Sequence, residues 1–267
     1  HALIGGMCGA ALAASDLNWN SIVFAKTGET VGKNSGVFWK VLLPMISAPL
    51  AGFLLGLLIM GVLMAVISSM NNAGGWLARI TRPRWVNASF GKAQILSAAY
   101  QGFAHGTNDA QKTMGVIAMA IFVAQGNGTL DQLPSWLDFM RPAADAPKDH
   151  VAGWIIVTCA LVMAAGTASG GWRIIKTLGH KLTKLHPING FAAEGSSAAV
   201  ILTASMLGVP VSTTHNVSAS IMGVGAAKRF NAIRWSVVQR MVWAWILTLP
   251  ITAGLGYALV KLGHLFS

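Results

Sequence analysis

Hydropathy along this chain changes in long blocks rather than residue by residue. Uncharged stretches run from Val41 to Ala78, Ala93 to Asn108, Thr113 to Leu130, Val151 to Trp172, Gly195 to Ala227 and Met241 to Val260. Most approach or exceed the roughly 20 residues that a helix needs to cross a hydrocarbon core of about 30 Å. Short basic or mixed segments separate them. Helices satisfy every backbone group internally where water is absent, so the pattern predicts an all-α integral membrane protein.

Charge then assigns sides to the connecting segments. Asn71 to Lys92 holds Arg79, Arg82, Arg84 and Lys92 and no acid, whereas Gln125 to His150 holds Asp131, Asp138, Asp145 and Asp149 against Arg141 and Lys148. The positive-inside rule puts the first in the cytoplasm and the second outside. Trp172 to Gly190 and the group Lys228, Arg229, Arg234 and Arg240 are purely basic, so both belong inside. Phe191 to Ala227, between them, must therefore enter the membrane and return. Its midpoint reads "GVPVSTTHN", where Pro210 is expected to end one half-helix and Ser212, Thr213 and Thr214 to cap a second, as in a re-entrant hairpin. The run Ala93 to Ala124 joins opposite sides and would be about 48 Å long as one helix, so an unwound middle at His105 to Asn108 is expected.

An internal repeat accompanies this topology. "HALIGGMCGAALAA" at the start parallels "HNVSASIMGVGAAK" from His215, and "SAPLAGFLLGLLI" parallels "TLPITAGLGYALV" with Pro49 against Pro250. The loop after the first copy carries acids and its counterpart does not, which suggests opposite orientations and an inverted repeat. Residues 1–70 then close a first repeat and residues 71–267 form the second. The expected architecture is an inverted-repeat helical bundle with broken helices and re-entrant hairpins.

Composition agrees: 54% of the 267 residues are hydrophobic and only 10% charged, where a soluble domain carries about a quarter. The net charge of +11 sits in inter-helix segments without aromatic interleaving, so it sets topology and predicts no nucleic-acid partner. Cys8 and Cys159 lie in apolar runs without metal-ligand spacing, so neither a disulfide nor a metal site is expected of them. The chain opens on His1 with no signal peptide before the first apolar run, the look of a fragment lacking its beginning.

Between two apolar runs stands "FAHGTNDAQKTMG", Phe103 to Gly115. Each charge near a membrane centre costs roughly 2.5 to 3.5 kcal/mol on insertion scales, so these groups point to function. A half-helix starting near Asn108 and another near Thr213 would aim free N–H groups and positive dipole ends at one point. Hydroxyls of Ser212, Thr213 and Thr214 can donate to an oxyanion, and Asn108 can donate or cap. Asp109 can accept a hydrogen bond from a protonated anion or bind a cation, and Lys112, three residues on, can pair with it. His105 and Asp109 share a helix face, but Gly106 between them favours a break, and a histidine bonded to a backbone carbonyl is preferred to metal ligation. His215 is read as holding the hairpin tip. Glu194 is read as a cap or gate at the hairpin entrance. Tryptophans 154, 172, 235, 243 and 245 read as interfacial anchors, and "LPSWLDFM" as a short surface helix.

The motifs "HGTNDAQKTMG" and "PVSTTHNVSASIMGVG" together resemble the inorganic phosphate transporter family, whose two inverted repeats each carry a G-x-N-D signature and a P-x-S-T-T-H hairpin. His1 looks like the last residue of the first such hairpin motif. The resemblance implies uptake of inorganic phosphate by symport with protons or sodium ions, by alternating access at a midplane site, in a multi-pass protein of a bacterial cytoplasmic membrane. It implies phosphate-binding roles for Thr107, Asn108, Ser212, Thr213 and Thr214, a coupling-ion or proton site at Asp109 and Lys112, and structural or gating roles for His105, His215 and Glu194. No catalytic residue, metal or cofactor is expected. Membrane lipid and phosphate are the partners, and a homodimer stays open. Lys112 stands where the commoner pattern N-D-x-x-N has its second Asn. Two other classes fit less of the sequence: an uncoupled anion channel and a membrane-embedded metal-dependent hydrolase built on His105, Asp109 and His215.

Overall fold

A computed structural model describes residues 2–28, 35–141, 151–176, 186–230, 233 and 235–266. His1, Glu29, Lys33, the segment holding Asp145, Lys148 and Asp149, the loop holding Lys181 and Lys184, and Arg234 lie outside the described residues, with the expectations that rest on them. Among the described residues eight α-helices follow in order: α1 (Ala2–Ala14), α2 (Leu43–Asn72), α3 (Gly75–Ile80), α4 (Pro83–Gly126), α5 (Gly153–Lys176), α6 (Pro187–Met206), α7 (Thr213–Lys228) and α8 (Trp235–Phe266). Three are long and apolar enough to cross a membrane, over Phe38–Asn72, Gly153–Trp172 and Val238–Leu265. A π-helical turn, Phe38–Leu42, leads into α2, and Ser135–Met140 forms the expected short helix as a 3-10 turn.

The expected hairpin is present as α6, a turn and α7. Its stop signal is Gly208 rather than Pro210. Gly208 takes φ +65°, its N–H donates to Ser205 O at 3.1 Å, and Val209 N–H donates to Ala204 O at 2.9 Å. These two bonds are the Schellman arrangement, which closes the last carbonyls of α6, and Pro210 follows where the helix has already ended. Ser212 in extended conformation then caps α7, its hydroxyl accepting from His215 N–H at 3.4 Å.

The unwound middle expected at His105 to Asn108 is absent, and α4 is continuous for 44 residues, about 66 Å. No proline follows Pro83 in this stretch, and several of its polar side chains near the expected break bond along the helix. The Thr107 hydroxyl returns to Phe103 O, while Asp109 pairs with both His105 and Lys112. Nothing there competes with the backbone ladder, so tilt or projecting ends rather than a break must absorb the excess length.

The hairpin lies at the centre. Ten of the sixteen residues of α7 are buried, among them Asn216, Ser218 and Ser220 at 0% exposure. Ser218 donates to Thr214 O at 2.7 Å, and Asn216 donates across to Ser197 O on α6 at 3.0 Å. Small polar residues let helix backbones approach closely. Around them Met60, Ile188, Ala192, Ile221 and Val224 form an apolar core shared by α2, α6 and α7. A second core of Ile121, Leu130, Ile155 and Cys159 ties the end of α4 to α5. Both cysteines are free thiols.

Helix packing exposes the repeat. The most extensive helix pairs are α1 with α8 and α2 with α7. Backbones meet at matching glycines: a Cβ on Gly9 would fall on Ala253 O, and one on Gly223 on Phe53 O. Likewise a Cβ on Gly256 would meet Gly6 O, and one on Gly56 would meet Ser220 O. The two pairs correspond contact for contact, α1 to α7 as the sequence alignment has it. Between α2 and α8, however, Gly56 corresponds to Gly256, one residue out of step with the alignment of Pro49 on Pro250. An exposed ion pair, Lys261 to Asp16 at 2.6 Å, fastens the α1–α8 pair and holds the Asp16 carboxyl below the usual carboxylate range.

Gly223→Ala is expected to cost about 1–3 kcal/mol through overpacking against the α2 backbone. Gly61→Ala, where a Cβ meets nothing within 4 Å, is expected to change stability by no more than about 0.5 kcal/mol. Unfolding of the purified protein in detergent measures both, and equal effects would contradict the close approach.

Candidate functional site

Asp109 sits where α4 passes the turn of the hairpin, and three side chains converge on its carboxylate. Lys112 Nζ lies 2.8 Å from Oδ1, His105 Nε2 lies 3.1 Å from Oδ2, and the Thr213 hydroxyl donates to Oδ2 at 3.0 Å. The first two come from the same helix at i+3 and i−4, a spacing that places all three on one face. Thr213 comes from the first residue of α7. Lys112 also donates to the main-chain carbonyl of Val211 at 2.6 Å. One ammonium thus bridges the helix and the hairpin turn.

Beside it, Asn108 is buried at 3% exposure and donates from Nδ2 to the Ser205 hydroxyl at the end of α6, 2.9 Å away. Asn108, Gln111 and Lys112 line a cavity of about 210 Å³ whose other wall is Ser205 and the turn residues Gly208, Val209 and Pro210. A larger cavity of about 410 Å³ runs from Lys112 and Ser212 to α1. On the other side, His105 and Glu194 share a cavity of about 600 Å³ between α4, α5 and α6.

Of the residues singled out in the sequence, the structure gathers His105, Asn108, Asp109, Lys112 and Thr213 around one point. The pairing of Asp109 with Lys112 is present. Because α4 is unbroken, no free helix N-terminus lies at Asn108; α7 presents its N-terminus to this region, and the first turn of α1, through Leu3 and Ile4, lines the larger cavity opposite Lys112 and Ser212. Thr107 turns back onto its own helix through Phe103 O. Thr214 is exposed and Ser212 is half-buried.

Three roles change. The partner of His105 is the Asp109 carboxylate, since without a helix break no nearby carbonyl is released. Glu194 is no cap: α6 begins at Pro187, which puts Glu194 two turns inside it, where its carboxylate accepts from the Ser97 hydroxyl of α4. His215 stacks on Trp245 of α8, ring centroids 4.0 Å apart and planes at 27°, so this tryptophan holds the hairpin rather than an interface. Among the described residues no group of three or more His, Cys, Asp or Glu side chains is placed to hold a metal ion.

Ser205 and the Val211 carbonyl were not marked by the sequence reading. Ser205 stands three residues before Gly208, the position whose side chain meets the turn, but a lone serine in "TASM" carries no motif. A main-chain carbonyl has no sequence signature at all.

Fold and site define a helical membrane protein in which a central helix hairpin is joined by polar bonds to a neighbouring helix. The sequence matches the PHO4 phosphate transporter family over residues 1–256, and the chain belongs to that family. Similar proteins include a "Probable low-affinity inorganic phosphate transporter" of Bacillus subtilis, 36% identical over 256 residues, covering 96% of this chain and 64% of the relative. Proteins so named in Rhizobium meliloti and Mycobacterium bovis are 38% and 39% identical, covering 95% and 99% of this chain and 63% and 54% of the relatives. The chain therefore spans between about half and just under two thirds of the length of these three relatives. The solved structure "The sodium-dependent phosphate transporter" superposes with a TM-score of 0.56 at 19% identity, covering 99% of this chain and 65% of that one, and so shares its fold.

Asp109→Asn is expected to cost about 1–3 kcal/mol of stability, because it leaves the half-buried Lys112 ammonium without its counter-charge. In a double-mutant cycle with Lys112→Gln, unfolding measurements should give a coupling energy of about 1 kcal/mol or more. Strictly additive losses would show that the pair does not hold the helix to the hairpin.

Proposed function

We propose that this chain forms part of a secondary active transporter that takes up inorganic phosphate by symport with protons or sodium ions. The observation that carries the reading is the junction of α4 and the hairpin turn, where Asp109, Lys112 and Thr213 bond to one another beside a cavity of small-oxyanion size. The names of the relatives support phosphate as substrate. The anion is bound at the positive end of α7, by its first N–H groups and by hydroxyls of Ser212, Thr213 and Thr214, with Asn108 and the Lys112 ammonium facing it from α4. Asp109 carries the coupling charge. Symport requires that one site hold an anion and bind the coupling cation more tightly when the anion is present, and an acid within two side chains of the anion site meets that need.

Residues 1–70 close a first inverted repeat and residues 71–267 form the second, with the hairpin moving against α4 during alternating access. Glu194 and His105, on the opposite cavity, gate access from that side, and His215 fixes the hairpin on α8. Placement in a bacterial cytoplasmic membrane fits the relatives' bacterial sources.

Proteoliposomes of the complete natural protein containing this chain should accumulate radiolabelled phosphate above the outside concentration under an imposed ion gradient. Asp109→Asn should abolish accumulation, and Ser212→Ala should weaken phosphate binding roughly 10- to 100-fold through loss of a hydroxyl donor to a charged ligand. Equilibration without accumulation would identify a channel instead.

A further inference from the structure

The bonds made by Lys112 go beyond those of a helix-surface ion pair. Its ammonium lies 2.8 Å from Asp109 Oδ1 and 2.6 Å from Val211 O, while the Thr213 hydroxyl bonds the other carboxylate oxygen at 3.0 Å. Val211 is 4% exposed and lies in the turn, outside both helices, so its carbonyl has no helical partner. A buried carbonyl needs a donor or a cation. A carboxylate oxygen and a main-chain carbonyl released at a helix break form the oxygen set that hard cations take in transporters.

We propose that the Lys112 ammonium is a tethered substitute for the coupling cation, so that Lys112 sets ion specificity and phosphate binding needs no sodium. The inference rests on the phosphate reading above and narrows its coupling ion. Three observations support it. First, the ammonium satisfies both oxygens at ordinary hydrogen-bond distances, which leaves no position between them for a second cation. Second, sodium entry would have to displace Lys112 from both bonds and leave its charge half-buried and unpaired, which is strongly unfavourable. Third, the lysine is held on the same helix as Asp109, so it is present at every stage of the cycle, while a free ion must be dehydrated and captured each time. The other titratable neighbour described on this face, His105, bonds the far oxygen of the carboxylate.

Shortening the side chain without its charge would open the position. Lys112→Asn vacates the position of the ammonium and leaves a shorter, neutral side chain whose carbonyl oxygen can join the carboxylate and the main-chain carbonyl around a cation placed there.

The test is phosphate binding and phosphate uptake by the complete natural protein, each in sodium and in choline at equal ionic strength, with the same imposed proton gradient for uptake. Wild type is expected to bind and take up phosphate equally in both media, within twofold, and to show no saturable binding of radioactive sodium. Lys112→Arg should behave in the same way. Lys112→Asn should bind phosphate at least tenfold more tightly in sodium than in choline. Wild-type binding or uptake that falls tenfold without sodium overturns the proposal, and so does a folded Lys112→Asn protein that binds phosphate equally in both media. If Lys112→Asn does not fold, the wild-type comparison and the sodium-binding measurement decide alone. Folded wild type that binds no phosphate in either medium overturns the phosphate reading and this inference with it, whereas sodium-dependent binding removes only the inference.

Discussion

A carboxylate carried into an apolar helix bundle has to be neutralised where it stands, and the centre of this protein depends on how Asp109 is neutralised. Two partners, His105 and Lys112, come from its own helix, and the third, Thr213, comes from the hairpin. On an exposed helix an i,i+3 ion pair contributes only a few tenths of a kcal/mol. Here both side chains are about one quarter exposed, so losing either leaves a charge that water reaches poorly. Because Lys112 continues to Val211 O, neutralising one residue of α4 also docks the hairpin turn.

The turn itself is built so that this docking is available. Gly208 closes the carbonyls at the end of α6, and Ser212 caps α7, which leaves the Val211 carbonyl and the first N–H groups of α7 free of helical partners. Within three residues the chain thus offers an acceptor for a cation and donors for an anion. Buried Asn108, bonded to Ser205, fixes the other side of the same gap. The break between the two helices provides both outlets close to each other, without any charged side chain in the turn from Leu207 to Ser212.

Much of this was legible in the sequence, and what was not has physical causes. The hairpin follows from an uncharged stretch between two basic segments, and the caps follow from Ser212 and its neighbours. Pairing of Asp109 with Lys112 follows from their spacing. The break expected in α4 rested on helix length and on Gly106, and length is a weak argument when no proline interrupts the run. Gly106 permits a break without requiring one, and a Cβ there would meet nothing. Glu194 was misassigned because the start of α6 at Pro187 was not located. The repeat was legible but its register was not, since aligning Pro49 with Pro250 follows residue identity, whereas packing follows the glycines at which backbones touch. Val211 contributes through its backbone, which no side-chain pattern encodes.

That packing also decides which helices form mechanical units. Helix α1, from the first copy, lies on α8 from the second, and α7 from the second lies on α2 from the first, with backbone contact at Gly9, Gly56, Gly223 and Gly256. Interdigitated backbones without intervening side chains resist sliding, because any shift brings a Cβ onto a carbonyl. The matching helices are therefore crossed rather than side by side: α1 lies on α8 and α7 on α2, so the packing joins early and late parts of the chain. Helix α4 meets α7 in few places, the Asp109–Thr213 bond among them, while it packs extensively on α6, the hairpin's other limb. Hydrogen bonds such as that one, and the bond from Lys112 to Val211 O in the turn, exchange partners at far lower cost than glycine-packed backbones can be pulled apart. Around the hairpin tip the firm attachments are therefore the packed faces of α2 and α6, and the polar bonds of α4 fix the position of the turn between them.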